Sequence, residues 1–175
     1  MLTNHSPAER LNARAGHEGW PTICDDRGHF DSAILSAVDV VWQAARGDKR
    51  LPMRCDFKAR AIGRHLRDIT FVDSIKEPGG RRRFRFGFYG SGLARYTGEF
   101  TGRFLDEIIP EAFLANWTAC FDTAMEVAAP LRIVSQFHAL NLDYMTTETM
   151  LAPIGDADGA PCGLLISAAY SPGTH

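Results

Sequence analysis

The sequence lacks the features that would place the protein in a membrane or export it. No apolar run approaches the ~18 residues that a membrane-spanning helix needs. The first residues, Met-Leu-Thr-Asn-His-Ser-Pro, do not follow the basic-then-apolar pattern of a signal peptide. The formal net charge of -2 gives no general attraction to nucleic acid or to an anionic membrane. We therefore expect a cytoplasmic protein that binds neither.

Motifs of catalysis and metal binding are also missing. The four cysteines form no Cys-x-x-Cys pair and are far apart, so we expect free thiols at Cys24, Cys55, Cys120 and Cys162. The six histidines have no ligand spacing with cysteine or carboxylate partners, and we predict no metal site. Neither a Gly-x-Ser-x-Gly motif nor a phosphate-binding loop is present. These absences favour a protein that is not an enzyme.

The apolar pattern changes sharply near residue 29. Residues 1–28 are rich in Gly, Asn, Pro, His and charge, which predicts a flexible or loosely docked tail. From Phe30, apolar side chains recur every three or four residues and predict an amphipathic helix within residues 29–50. The stripe must be covered by its own domain or by a second copy of the chain. We predict a homodimer interface at Leu35, Val38, Val41 and Trp42.

Residues 51–172 have the pattern of a sheet domain. Two β-rich runs, 69–75 and 83–89, flank a Pro-Gly-Gly turn and predict a hairpin. Short helical segments and a longer helix over residues 111–127 follow, and three more strands are predicted over residues 131–140, 142–154 and 162–170. This order predicts an α+β fold, in which a five-stranded antiparallel sheet carries short helices on one face, after the N-terminal amphipathic helix.

Several short stretches carry a family resemblance through their order and spacing. They are Leu51-Pro52-x-Arg54-x-Asp56-Phe57, Phe84-Arg85-Phe86-Gly87-Phe88-Tyr89-Gly90, Tyr96-Thr97-Gly98, Thr101-Gly102-Arg103-Phe104-Leu105-Asp106 and Glu148-x-x-Leu151-x-Pro153-Ile154. Residues 51–170 resemble the PAS fold and, within it, a bacterial family of short single-domain PAS-like proteins. The resemblance implies a sensory or signalling role, often as a dimer, that involves a small molecule or a protein partner. It implies no particular ligand.

The same resemblance bears on cofactors. No stretch like Gly-x-Asn-Cys-Arg-Phe-Leu-Gln, which carries a flavin-reactive cysteine, is present. A strand histidine, His138, is the one candidate for a haem ligand, and nothing near it in the sequence singles it out. We therefore expect neither flavin nor haem.

Side chains on the predicted sheet and helices are candidates for a ligand pocket, although aromatic residues at such spacing more often fill a core. The candidates are Phe86, Phe88, Tyr96, Phe104, Trp117, Phe121, Ile133, Ser135, Phe137, Tyr144, Glu148 and Ser167. Thr147 and Thr149 are further polar candidates on the same strand as Glu148. For Glu148 itself, an ion pair with Arg85 or Arg132 across the sheet is the favoured interpretation.

One alternative is an enzyme on a cone-shaped α+β fold, ketosteroid-isomerase-like or dehydratase-like. Such enzymes enclose an apolar pocket with a few acids and histidines, and here only Glu148 or His138 could serve. That class begins with long helices around the sheet, which this chain does not predict. The run Arg81-Arg82-Arg83-x-Arg85 alternates with Phe and so indicates a solvated sheet face rather than a phosphate site.

Overall fold

A six-stranded antiparallel sheet is the centre of the fold in the computed structural model, which describes residues 5–139 and 142–172. Side-chain surroundings are described for all of these residues except 137–139 and 142–144. The strands lie in the order β1-β4-β5-β6-β2-β3. They are β1 (Thr22–Asp25), β2 (Ile69–Lys76), β3 (Arg82–Tyr89), β4 (Leu131–Ala139), β5 (Leu142–Gly155) and β6 (Pro161–Pro172). Strands β2 to β6 confirm the predicted five-stranded α+β sheet.

Helices cover both faces of this sheet. They are α1 (Pro7–Glu18), α2 (Ala33–Arg46), α3 (Ala59–Ile62), α4 (Ser91–Thr97), α5 (Leu105–Ile108) and α6 (Glu111–Glu126), with 3-10 helices at Arg54–Asp56 and Gly63–Asp68. Helices α4, α5 and α6 belong to one apolar core with one face of the sheet, and α2 belongs to a second core on the opposite face. Within the described part of the chain, no helix has the length and apolar character to cross a membrane.

Residues 5–25 form a helix and a strand, where the sequence predicted a flexible or loosely docked tail. Ser6 caps α1, because its hydroxyl accepts the Glu9 N–H while the Glu9 carboxylate accepts the Ser6 N–H. The Asn12 side chain bonds both backbone groups of Cys24 at 2.8 and 2.7 Å, which joins α1 to β1. Strand β1 then pairs with β4 and becomes the sixth strand. Ala8, Leu11 and Ala15 are the buried residues of α1.

A β-bulge in the β2–β3 hairpin changes which side chains of β3 face each core. Val72 pairs with Phe86 and the preceding Phe71 pairs with Phe88, so Gly87 is an extra residue in β3. One extra residue shifts the two-residue alternation by one position. Tyr89 therefore shares the face of Phe86, and Phe88 turns to the opposite core.

Helix α2 packs its apolar stripe on the chain's own sheet. Leu35, Val38 and Trp42 are completely buried in the core that includes residues of β5 and β6. The Trp42 indole N–H donates a 2.9 Å hydrogen bond to the Pro153 carbonyl. Val41 is half-buried against the same core. Leu35, Val38 and Trp42 thus contact the chain's own sheet and are not exposed to a second copy, whereas Val41 is partly exposed, and the homodimer itself stays a prediction.

Candidate ligand cavity

An apolar cavity of about 100 Å³ lies between the sheet and helices α4, α5 and α6. The sheet contributes residues from β2, β3, β5 and β6, and the helices and the loops beside them line the other side. The lining consists of Thr70, Phe86, Tyr89, Leu93, Thr97, Phe100, Leu105, Ile108, Ile109, Trp117, Phe121, Thr147, Thr149, Ile166, Ala168 and Tyr170.

Strand alternation and helical spacing bring these side chains together. On β5 and β6, every second residue faces the cavity, so Thr147 and Thr149 lie on the same wall as Ile166, Ala168 and Tyr170. Trp117 and Phe121 are one turn apart on α6, and their rings meet edge to face with centroids 6.3 Å apart. Tyr89 and Phe100 are further aromatic residues in the lining of the cavity, and their ring centroids are 5.2 Å apart.

Most of the polar groups at the cavity are occupied by the protein itself. The Thr97 hydroxyl shares a 2.7 Å hydrogen bond with the Tyr89 hydroxyl and lies 3.1 Å from the Leu93 carbonyl oxygen. The Thr147 hydroxyl donates to the Ser135 carbonyl at 3.3 Å, and the Thr70 hydroxyl donates to the Phe88 carbonyl.

Thr149 is the exception. Its residue is only 4% exposed, and its hydroxyl makes no hydrogen bond to another described residue. A buried hydroxyl normally has a partner. This group is therefore available to a molecule in the cavity.

The cavity is electrically neutral. Burial raises the pKa of Tyr89, although the Thr97 hydrogen bond acts in the opposite direction. Burial also raises the pKa of Tyr170. The described lining residues include no carboxylate, histidine, cysteine or cation. Such a wall can hold and orient a neutral molecule, but it offers no acid–base pair or nucleophilic thiol for catalysis. In addition, no group of three His, Cys, Asp or Glu residues among the described residues could hold a metal ion.

Phe86, Trp117 and Phe121, among the pocket candidates from the sequence, line this cavity. Phe88 does not, because the bulge at Gly87 turns it to the opposite core. Ile133 and Ser135 are buried on the cavity side of β4 but do not reach the lining.

The remaining candidates lie elsewhere. Tyr96 stacks on Tyr170 at 4.2 Å and is partly exposed, and Phe104 packs under the Arg83 guanidinium at 3.8 Å. The Ser167 hydroxyl faces away from the cavity and donates to the Asp68 carbonyl at 2.7 Å. The side chains of Phe137, His138 and Tyr144 lie outside the described residues.

Glu148 also faces away from the cavity, between Thr147 and Thr149. It pairs with Arg132 at 2.5 Å, which confirms the favoured interpretation from the sequence. Its strand position explains the orientation, since neighbours on a strand point to opposite faces. A residue that alternates with two cavity residues is thus on the wrong side of the sheet to contact a ligand there.

Several lining residues were not among the candidates, and two of them have a recognisable signal. Tyr89 becomes a lining residue because of the bulge, and a glycine inside an aromatic strand is a typical sign of one. Tyr170 follows Ile166 and Ala168 at two-residue spacing, so the alternation of β6 predicts that it shares their face.

The architecture defines the class of protein. Strands β2 to β6 form an antiparallel sheet, and a cavity lies between one face of this sheet and short helices, which is the arrangement of PAS sensory domains. The chain belongs to the PAS domain family, because the family model matches residues 31–166. The match begins just before α2 and so includes this helix.

Solved structures of light-oxygen-voltage (LOV) proteins are similar to the chain. A variant of RsLOV is 16% identical and matches 81% of this chain and 69% of its own, with a TM-score of 0.44. The Rhodobacter sphaeroides LOV protein is 17% identical, over 81% of this chain and 68% of its own, with a TM-score of 0.40. An RNA-binding LOV receptor is 12% identical over 67% of this chain and 33% of its own length, with a TM-score of 0.44. No curated protein matches the sequence.

Proposed function

We propose that the protein is a non-enzymatic sensory module whose cavity binds a small, neutral and mainly apolar molecule. The observation that carries this proposal is the Thr149 hydroxyl, which has no hydrogen-bond partner among the described residues and lines a mainly apolar cavity of about 100 Å³. In another protein, an apolar cavity of ~150 Å³ binds benzene. A suitable ligand is therefore about the size of one aromatic ring or a short aliphatic chain and carries one hydrogen-bonding group.

The neutrality of the wall selects a neutral ligand. A charged molecule would lose its hydration and find no opposite charge among the described lining residues. A neutral alcohol, phenol or small heterocycle would keep its apolar part in contact with Trp117 and Phe121 and place its polar atom at Thr149. The small volume of the cavity limits how many methylene groups such a ligand can contain.

The geometry of the cavity supports a non-enzymatic role. The alternative enzyme requires an inward-facing acid or histidine, and Glu148 is held on the opposite face by Arg132, while the side chain of His138, the other candidate, lies outside the described residues. The match to the PAS family model also argues against the cone-shaped fold that this alternative assumed. Binding without turnover remains the best-supported chemistry of the cavity.

A panel of neutral probes tests the proposal. Phenol, indole and cyclohexanol would be added to the intact chain, and binding would be measured by ligand-observed NMR and by the shift of the unfolding temperature. Ala168→Leu places a larger side chain in the cavity and should abolish binding. Ala157→Leu, in the exposed β5–β6 turn, is the size-matched control and should bind as wild type does.

Thr149→Val separates the role of the hydroxyl from that of the shape. Phenol should bind this variant about five- to tenfold more weakly, since one hydrogen bond contributes about 1 kcal/mol. Benzene should bind both proteins equally. The proposal fails if no probe binds wild type or if Ala168→Leu binds as well, and recovery of a chemically altered probe would refute the non-enzymatic role.

Homodimerisation and a cytoplasmic location stay predictions for this module. Since Leu35, Val38 and Trp42 are buried in the chain, they do not supply the interface. Light scattering on the intact chain at several concentrations would give its mass and decide between monomer and dimer.

A further inference from the structure

The most conspicuous basic run of the sequence carries little free charge in the structure. Arg81 pairs with Asp106 at 2.9 Å, and Arg83 pairs with the same carboxylate at 2.7 Å. The other two arginines of the run are also paired, Arg82 with Asp122 at 3.4 Å and Arg85 with Asp73 at 3.2 Å. The free positive charge of the chain therefore lies elsewhere.

A second group of cations, which we name the basic corner, lies at the residue before α3, on α3 and on the 3-10 helix Gly63–Asp68. It consists of Lys58, Arg60, Arg64 and Arg67, all exposed. No Asp or Glu occurs between Phe57 and Arg67. Arg67 has one ion pair, with the adjacent Asp68 at 3.5 Å. Among the described residues, the other three cations have no carboxylate within ion-pair distance.

The backbone of the basic corner is held firmly against the sensory domain. The Asp68 carbonyl accepts the Ser167 hydroxyl from β6, and Ile62 is buried in the core beside α2. Gly92 lies so close to the Arg67 carbonyl that a Cβ there would be 2.6 Å from its oxygen. The cations are thus displayed from a fixed backbone, which lowers the entropy lost when a partner binds.

Apolar side chains accompany the charges. Leu66 is 43% exposed, and Ala59 and Ala61 are exposed among the cations. A surface of this kind provides apolar contact area as well as positive charge. Such mixed surfaces suit a protein partner, whose segments carry both kinds of side chain.

We propose that the basic corner is a docking site for an acidic segment of a partner protein. Three of its four cations are arginines, whose planar guanidinium groups bind carboxylates through two parallel hydrogen bonds. The exposed Leu66 receives an apolar side chain of the same segment. This role goes beyond ligand binding in the cavity and does not depend on it.

The charge of the remaining surface argues against a long polyanion. The chain has 19 Lys and Arg, of which four are in the basic corner, so the other 15 share the rest of the chain with all 21 Asp and Glu residues. A nucleic acid or an anionic membrane extends beyond a patch of ten residues and meets this net negative surface. A short acidic segment stays within the patch.

Fluorescence anisotropy with a labelled peptide of alternating Glu, Asp and Leu residues tests the docking site. The double variant Arg60→Glu/Arg64→Glu should bind the peptide about tenfold more weakly than wild type, with most of the salt dependence lost. The double variant Arg27→Glu/Lys76→Glu makes the same change of net charge at two exposed positions outside the basic corner. It should bind within about twofold of wild type.

Three results would overturn the proposal. The first is that wild type does not bind the peptide, and the second is that both double variants lose the same affinity. The third is that a single-stranded RNA oligonucleotide or phosphatidylserine vesicles bind the basic corner at least as tightly as the peptide. Circular dichroism of both double variants establishes that they fold as wild type does. Peptide binding by Ala168→Leu, which fills the cavity, should be unchanged, so failure of the cavity proposal and failure of the docking proposal are distinguishable.

Discussion

The Arg132 Nε–H donates a 2.5 Å hydrogen bond to the carboxylate of Glu148, across neighbouring strands β4 and β5. The two oxygens of the same carboxylate accept the backbone N–H groups of Asp31 and Ser32, each at 2.8 Å. Ser32 makes no capping bond with its own side chain at the start of α2. A distant strand residue therefore provides the anionic cap of this helix, which its N-terminal dipole favours. Glu148 ties α2 to the sheet directly beside the cavity residue Thr149.

Replacing Glu148 by glutamine should weaken this connection. We expect Glu148→Gln to lower the free energy of unfolding by about 1–3 kcal/mol, because Arg132 loses a charged partner in a half-buried setting. Urea unfolding at neutral pH measures the change. Glu126→Gln is the matched control, since Glu126 pairs with Arg10 in an exposed position and should matter by less than about 0.5 kcal/mol. An equal loss of unfolding free energy in the two variants would contradict the capping role of Glu148.

The stability of the protein should depend on the protonation of Glu148. Burial by itself would raise its pKa, but the hydrogen bonds from Arg132, Asp31 and Ser32 outweigh burial, and the pKa lies below its ordinary value. A carboxylate with a lowered native pKa stabilises the fold above the unfolded pKa of about 4.3 and loses this contribution as pH falls through the native value. The stability difference between wild type and Glu148→Gln should therefore shrink below about pH 4.3. Thermal unfolding across this range measures it, and a difference that stays constant would argue against this titration.

Trp42 should be essential to the fold of a single chain. Trp42→Ala removes a fully buried ring and leaves the Pro153 carbonyl without its donor, so we expect a loss of about 3–5 kcal/mol. Val40→Ala, on the same helix but 67% exposed, should change stability by less than about 0.5 kcal/mol. Both variants would be unfolded in urea at two protein concentrations. A loss at Trp42 that depends on concentration would restore the interface role that its burial argues against.

The four thiols should react in an order set by burial. Burial raises the pKa of Cys24 and of Cys120 to about 12, which leaves almost no thiolate at neutral pH. Cys55 and Cys162 are exposed. The pKa of Cys162 is nevertheless raised, mainly because its thiol is partly shielded from solvent. We expect iodoacetamide to modify Cys55 first, then Cys162, and the two buried thiols only after unfolding. Mass spectrometry of digested samples follows each site, and early labelling of Cys120 in the native protein would contradict the order.

The protein should be colourless in visible light. Cofactor pockets usually have volumes of about 300 Å³ or more, and a cavity of about 100 Å³ is too small for a flavin or haem unless its walls move. No cysteine is among the described residues that line it. An absorption spectrum of freshly purified protein decides the matter. A Soret band or a flavin band would show that the cavity opens to admit such a group.

The pattern of residues was sufficient for the parts of the fold that depend on local interactions. Two β-rich runs around a Pro-Gly-Gly turn predict the β2–β3 hairpin, and Gly79 and Gly80 adopt the positive φ angles of 100° and 85° that such a turn needs. The apolar spacing of α2 and α6 likewise follows from one helical period. Phe86, Trp117 and Phe121 could be selected as cavity candidates because their faces follow from this periodicity.

The sequence pattern did not predict which distant segments pair in the sheet. The tail was expected to be flexible or loosely docked because it has few aliphatic residues, yet β1 pairs with a strand more than a hundred residues away. The Ser6–Glu9 capping box was a local signal for α1 that the low apolar content outweighed. Phe88 and Tyr89 exchange faces because of one extra residue, and a bulge depends on the partner strand as well as on its own sequence.

The sequence by itself determined the class of fold, since alternation along strands, helical spacing and turn residues act over a few neighbouring positions and together specify a PAS-like α+β domain. Only the tertiary structure decided three things: which surface covers the stripe of α2, which cavity hydroxyl has no partner among the described residues, and which arginines form no ion pair with a described carboxylate. Each of these depends on residues far apart in the chain. Trp42 meets Pro153, Thr149 lies opposite α6, and Arg83 meets Asp106, whereas Arg60 and Arg64 meet no carboxylate among the described residues.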